Sequence, residues 1–113
     1  MSQSDLMILT TTFSDRDKAL EIAHLMVDGG LAVCAQVSGS MESFYQWKGK
    51  IAQDTEVRVT FKILGDRFEL FCGELKMNHP YDAPQLIAWP ASYVDTAYLD
   101  WARGKSPTKD GSS

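Results

Sequence analysis

Residues 31–63 read LAVCAQVSGSMESFYQWKGKIAQDTEVRVTFKI, and the fold turns on how this stretch is divided. Leu31, Val33, Ala35 and Val37 alternate with Ala32, Cys34 and Gln36. That period of two marks a half-buried strand. Ser38-Gly39-Ser40 interrupts the run, and residues 41–47 resume it with aromatics. One long strand, bulged or bent at Gly39, accounts for this better than two unrelated strands. Lys48-Gly49 supplies the turn. The returning strand has the cleanest alternation in the chain. Thr55, Val57, Val59, Phe61 and Ile63 point one way, and Glu56, Arg58, Thr60 and Lys62 the other. One face is therefore buried, and the other meets water or a partner.

Working outward, residues 6–12 form a nearly continuous apolar and threonine run that suits a central strand. Ser14 stands in the N-cap place of a following helix, with Asp17 in the capping-box position. Ala19, Ile22, Ala23, Met26 and Val27 fall at helical spacing, and Gly29-Gly30 stops the helix. A second helix opens at Gly65-Asp66, with Asp66 and Glu69 as its capping box. Phe68, Phe71, Cys72 and Leu75 are its apolar stripe. The two prolines of Asn78-His79-Pro80-Tyr81-Asp82-Ala83-Pro84 end it. Residues 86–89 form a short strand before Pro90, and a last helix starts near Asp95. The order β-α-β-β-α-β-α makes an α+β, ferredoxin-like βαββαβ domain with an extended β2-β3 hairpin and a C-terminal helix. Residues 1–103 are expected to be one domain, and the polar tail 104–113 to be disordered.

Two helices cover one side of such a sheet and leave the other open. The hairpin also carries Phe44, Tyr45 and Trp47 beyond a core this small. Aromatic area of that kind drives association at about 25 cal/mol per Å². Self-association follows, although burial alone does not choose between two-fold and three-fold symmetry.

The 113 residues suffice for one core, and the formal net charge of -4 comes without a basic cluster. A nucleic-acid partner is not expected. No segment approaches the roughly 20 apolar residues that cross a bilayer, and the N-terminus has no signal-peptide pattern, so the expected location is cytoplasmic, without membrane contact. Cys34 and Cys72 are expected as free thiols.

No nucleophile-base motif, P-loop or HExxH is present, so an enzyme is not expected. His24 reads as a rim residue, Cys72 as core, and the methionines Met7, Met26 and Met77 as core filling. His79, in a loop with Tyr81 and Asp82, either orders that loop or ligates a metal. Cys34 either packs in its strand or adds a thiolate to that site. Thiolate with imidazole favours Cu or Zn over Mg. Tyr45, Trp47 and Lys50 either anchor an interface or line a crevice that Lys50 makes attractive to an anion.

Gly30-Leu31-Ala32-Val33-Cys34, Tyr45-Gln46-Trp47-Lys48-Gly49-Lys50-Ile51, Asp54-Thr55-Glu56-Val57, His79-Pro80-Tyr81-Asp82-Ala83-Pro84 and Tyr98-Leu99-Asp100-Trp101 together resemble the CutA family, named for divalent-cation tolerance. The resemblance spans residues 6–101. It implies a tight, PII-like homotrimer whose hairpins embrace neighbouring subunits. It further implies binding of Cu²⁺ or another divalent cation at Cys34, His79 and an acidic residue after the HPY motif, with no metal required for folding. The family's common Glu in that segment is Gln85 here, which leaves Asp82 as the nearby acid. An amide brings no charge to a cation. Two other readings stand beside this one. The first is a PII-like regulatory trimer that binds a small anionic ligand between subunits, lined by Tyr45, Trp47, Lys50, His79 and Tyr81. The second is a ligand-free trimeric scaffold.

Overall fold

The computed structural model describes residues 5–105. Its elements are β1 (Leu6–Phe13), α1 (Arg16–Asp28), β2 (Cys34–Trp47), β3 (Lys50–Leu64), a 3-10 turn (Gly65–Arg67), α2 (Phe68–Asn78), β4 (Ile87–Pro90) and α3 (Thr96–Ala102). The four strands form one antiparallel sheet in the order β2-β3-β1-β4. This is the ferredoxin-type βαββαβ arrangement with an added C-terminal helix.

Register separates the two faces of the sheet. Ala35, Phe61, Leu9 and Ala88 lie in one row across the four strands and pack on α1 and α2. Cys34, Lys62, Ile8 and Trp89 form the neighbouring row on the other face. The core is Leu9, Phe13, Val57, Val59, Phe61 and Ile63 from the sheet, closed by Ile22 and Met26 of α1 and Phe71 and Leu75 of α2. Phe61 and Phe71 meet edge to face at 4.8 Å, a favoured aromatic geometry.

The interruption at Gly39 is a β-bulge. Val37 faces Val59, but Ser40 faces Val57, so β2 carries one extra residue. The Ser38 hydroxyl accepts the Arg58 N–H at 2.8 Å and so fills the gap in the ladder. Arg16, the first residue of α1, donates to the Ser38 carbonyl at 2.7 Å. Beyond the bulge the hairpin runs past the helices. Glu42 accepts from Gln53 and Thr55 across one face of the ribbon, and Tyr45 donates to Asp54 across the other. Lys48 (φ 51°) and Gly49 (φ 76°) are both left-handed at the tip, as a two-residue type I′ turn requires. The radius of gyration is 15.6 Å, against about 13 Å for a compact chain of this length. Phe44, Trp47 and Ile51 on the ribbon are 66%, 61% and 68% exposed.

Several boundaries differ from those read in the sequence. Asp15, not Ser14, caps α1 and accepts the Asp17 N–H at 2.9 Å. A carboxylate at that place also complements the helix dipole. Gly65 is buried, with its N–H on the Asp5 carbonyl, so the chain leaves β3 through a tight 3-10 turn. α2 therefore starts at Phe68 and has no side-chain cap from Asp66. β2 starts at Cys34 because the Leu31 and Ala32 N–H groups still bind the Met26 carbonyl at the end of α1. β4 is displaced by one residue and includes Pro90, which an edge strand tolerates. Met77 lies on the outer side of α2 and is 80% exposed, not core. Cys72 is only partly buried. Thr55 follows the correct alternation but is exposed, because the helices end short of it.

α3 lies beside the open face at the start of β1, where Leu6 is buried. Arg103 ties it to Asp5 at 2.7 Å. Gly104 and Lys105 close the helix with N–H bonds to the Trp101 and Asp100 carbonyls. The rest of the expected tail lies outside the described residues.

Phe61→Ala should lower stability by about 3–5 kcal/mol, whereas Met77→Ala should stay within about 0.5 kcal/mol of wild type. Urea unfolding at one fixed protein concentration measures both.

Candidate functional site

β4 pairs with β1 only over Met7–Thr10. The last three residues of β1 therefore have no strand neighbour on that edge. The loop after α2 takes the vacant place. His79 ends the helix, its own N–H on the Leu75 carbonyl at 2.8 Å. Its ring stacks on Phe13 at 4.4 Å and meets Tyr81 edge-on at 4.9 Å. Nδ1 lies 3.1 Å from the Tyr81 N–H, which can only donate. Nδ1 is thus the bare nitrogen, and Nε2–H donates to the Thr12 carbonyl at 3.0 Å. The Thr11 hydroxyl completes the set at 3.1 Å. Both nitrogens of this 7%-exposed ring are engaged.

Burial pushes the His79 pKa below the ordinary 6.5, and the bond to Thr12 only partly opposes this. A histidine depressed in the folded state lets the unfolded chain bind the extra proton first. The stabilisation it gives is complete above pH 6.5 and is lost as pH falls from there through the folded value. A second proton would also set Nδ1–H against the Tyr81 N–H. Between pH 7.5 and 5, the urea midpoint of wild type should fall more than that of His79→Gln; equal falls would remove this role.

Cys34 lies elsewhere. It sits in the row of Lys62 and Ile8 on the open face, while His79 touches Thr11 and Phe13. Thr11 and Phe13 share the helix-covered face with their partners Val59 and Val57. The sheet stands between the thiol and the imidazole. Ile8 and Thr11 are also separated by about 10 Å along β1, at about 3.4 Å per residue. Metal donors must come within roughly 2.0–2.3 Å of one ion. A single subunit in this conformation does not bring Cys34 and His79 to one ion. Cys34 is half-buried and lies close enough to α3 that its thiolate, after burial, adds to the upward push on the Tyr98 pKa. Asp82 is exposed on the loop. Among the described residues no group of three or more His, Cys, Asp or Glu is gathered as a metal site.

A cleft of about 410 Å³ opens between the hairpin and the loop. Tyr45 lines the hairpin wall beside Ser43 and Phe44, and Tyr81 lines the loop wall beside Gln85. Thr12 and Glu56 complete its lining. Trp47 and Lys50 are exposed near the tip and do not line it. Tyr81 donates to Glu56 at 3.2 Å. Its pKa is raised, by burial first and then by the Glu56 charge among smaller causes. The Tyr45 pKa is raised mainly because its hydroxyl donates to Asp54. Glu56 was not singled out in the sequence. Its signal was its place on the polar side of the β3 alternation, opposite Met41 in the register.

A family model for the CutA1 divalent ion tolerance protein matches residues 7–105. The divalent-cation tolerance protein CutA of Pectobacterium atrosepticum is 32% identical over 97 residues, covering 86% of this chain and 88% of its own. The crystal structure of CutA1 from a psychrotrophic Shewanella superposes with a TM-score of 0.86 at 32% identity, covering 95% of this chain and 100% of that one. CutA from Synechococcus elongatus gives 0.85 at 31%, covering 93% of each chain. Proteins of this family are non-catalytic. The chain belongs to the CutA1 divalent ion tolerance family.

Proposed function

We propose that the chain works as a cytoplasmic, PII-like homotrimer in the tolerance of divalent cations, with copper the foremost ion. The observation that carries this reading is the ribbon beyond the bulge, where Phe44, Trp47 and Ile51 stand in water in one subunit. Ile87 and Trp89 on the open side of β4 are exposed as well. A sister subunit laid over the open face and the hairpin would bury both sets. No long apolar helix among the described residues offers a membrane as the alternative cover.

The proposed donors are Cys34, His79 and Asp82. Cys34 faces the side that a neighbour would cover, so an ion held by Cys34 and His79 together takes them from different subunits. His79 can ligate through Nδ1 only by giving up the Tyr81 N–H. Gln85 adds no charge, so the thiolate of Cys34 supplies the soft, anionic donor. The protein's fold is closed by its own core, and the metal is cargo rather than a structural requirement. The cleft between hairpin and loop supports a second reading, a binding module for a small molecule.

Sedimentation at micromolar concentration should give a trimer for wild type and a smaller species for Trp47→Asp; a folded single wild-type subunit would end the trimer reading. Copper calorimetry should show weaker binding for Cys34→Ser and for His79→Ala than for wild type. Equal affinity in all three would remove these residues as ligands.

A further inference from the structure

We propose that Gly39 is the hinge of the hairpin arm and that Arg16 and Ser38 form the lock that sets the arm's direction. Hinge and lock are read within one subunit. Their consequence for assembly rests on the trimer reading above, since an arm that embraces a neighbour has to leave the sheet at one angle.

Packing inside the subunit does not fix that angle. From Ser38 to Trp47 in β2 and from Lys50 to Glu56 in β3 no residue is buried. Close packing of side chains is what ordinarily holds an element at one orientation. The two strands pair with each other out to the turn. That makes the arm one body without saying where it points. The bulge is where such a ribbon bends, because the extra residue breaks the ladder and raises the local twist.

Gly39 lies in the bulge, yet the folded conformation does not demand a glycine there. Its φ is outside the left-handed region that Gly30, Gly49 and Gly104 occupy. A Cβ built on it would meet nothing within 4 Å. At such a position a glycine adds freedom in the conformations other than the folded one. It softens the bend and serves no close contact.

Three hydrogen bonds oppose this freedom, and all of them converge on Ser38. Its hydroxyl accepts the Arg58 N–H at 2.8 Å and donates to the Gly39 carbonyl at 2.8 Å. Its carbonyl accepts the Arg16 guanidinium at 2.7 Å. The first two pin the bulge to β3 and to itself. The third ties it to the helix layer, because α1 is seated in the core by Ala19, Ile22, Ala23 and Met26. A charged donor makes this the strongest of the three. Arg16 and Ser38 are thus positioning residues, which act through the direction of the arm.

Hydrogen exchange read by mass spectrometry on the full chain tests this, with arm peptides from residues 41–56 compared with core peptides of β1 and α2. Arg16→Met and Ser38→Ala should each speed exchange in the arm about three- to tenfold and leave the core unchanged. Ser38→Thr keeps the hydroxyl and should match wild type. Gly39→Ala should slow the arm about two- to fivefold, and added to Arg16→Met it should recover part of the loss. In sedimentation, Arg16→Met should also lower the guanidinium concentration at which the trimer comes apart. Arm exchange unchanged in Arg16→Met and Ser38→Ala, or arm and core quickened alike, would overturn the lock. Faster exchange in Gly39→Ala would overturn the hinge. A folded single wild-type subunit would overturn the trimer reading alone, and the exchange ratios would still decide hinge and lock.

Discussion

β3 is hydrogen-bonded along both of its edges, to β1 from Val57 to Leu64 and to β2 from Lys50 to Lys62. Nothing else among the described residues is held on two sides over such a length. The constraint it imposes is one of parity. Once Val57, Val59, Phe61 and Ile63 face the helices, every residue paired with them is assigned a face too. Cys34 is sent to the open side by Lys62, and Thr11 to the covered side by Val59. The separation of thiol from imidazole is therefore a property of strand register, not of loop conformation.

Much of this was legible in the sequence because it rests on local periodicity. The alternation in β3, the glycine stop after α1, the Lys48-Gly49 turn and the bulge near Gly39 are short-range signals, and each has its structural counterpart. The differences arise where a distant contact decides. Gly65 is turned inward by the Asp5 carbonyl, which no local pattern near Asp66 announces. Met77 continues the helix but falls off the stripe of Phe71 and Leu75, on the side turned away from the sheet. Asp15 displaces Ser14 as the cap because the helix begins one residue later, where Arg16 reaches the bulge.

The site was less legible than the fold. His79 stood out by residue type and by its neighbours, but its partners are the edge of β1, far away in sequence. That edge is free only because β4 is four residues long. Tyr45 and Tyr81 line the cleft of one subunit, whereas Trp47 and Lys50, which share the stretch of sequence around Tyr45, lie near the tip. Glu56 enters through cross-strand geometry, as does the charge that it brings.

The braces on the hairpin have a mechanical meaning. Glu42 with Gln53 and Thr55 stiffens one side of the ribbon, and Tyr45 with Asp54 stiffens the other. The arm is anchored at its root by Arg16 on the Ser38 carbonyl. A load applied to the tip would be carried along the braced ribbon to its root, where Arg16 links the bulge to the first turn of α1.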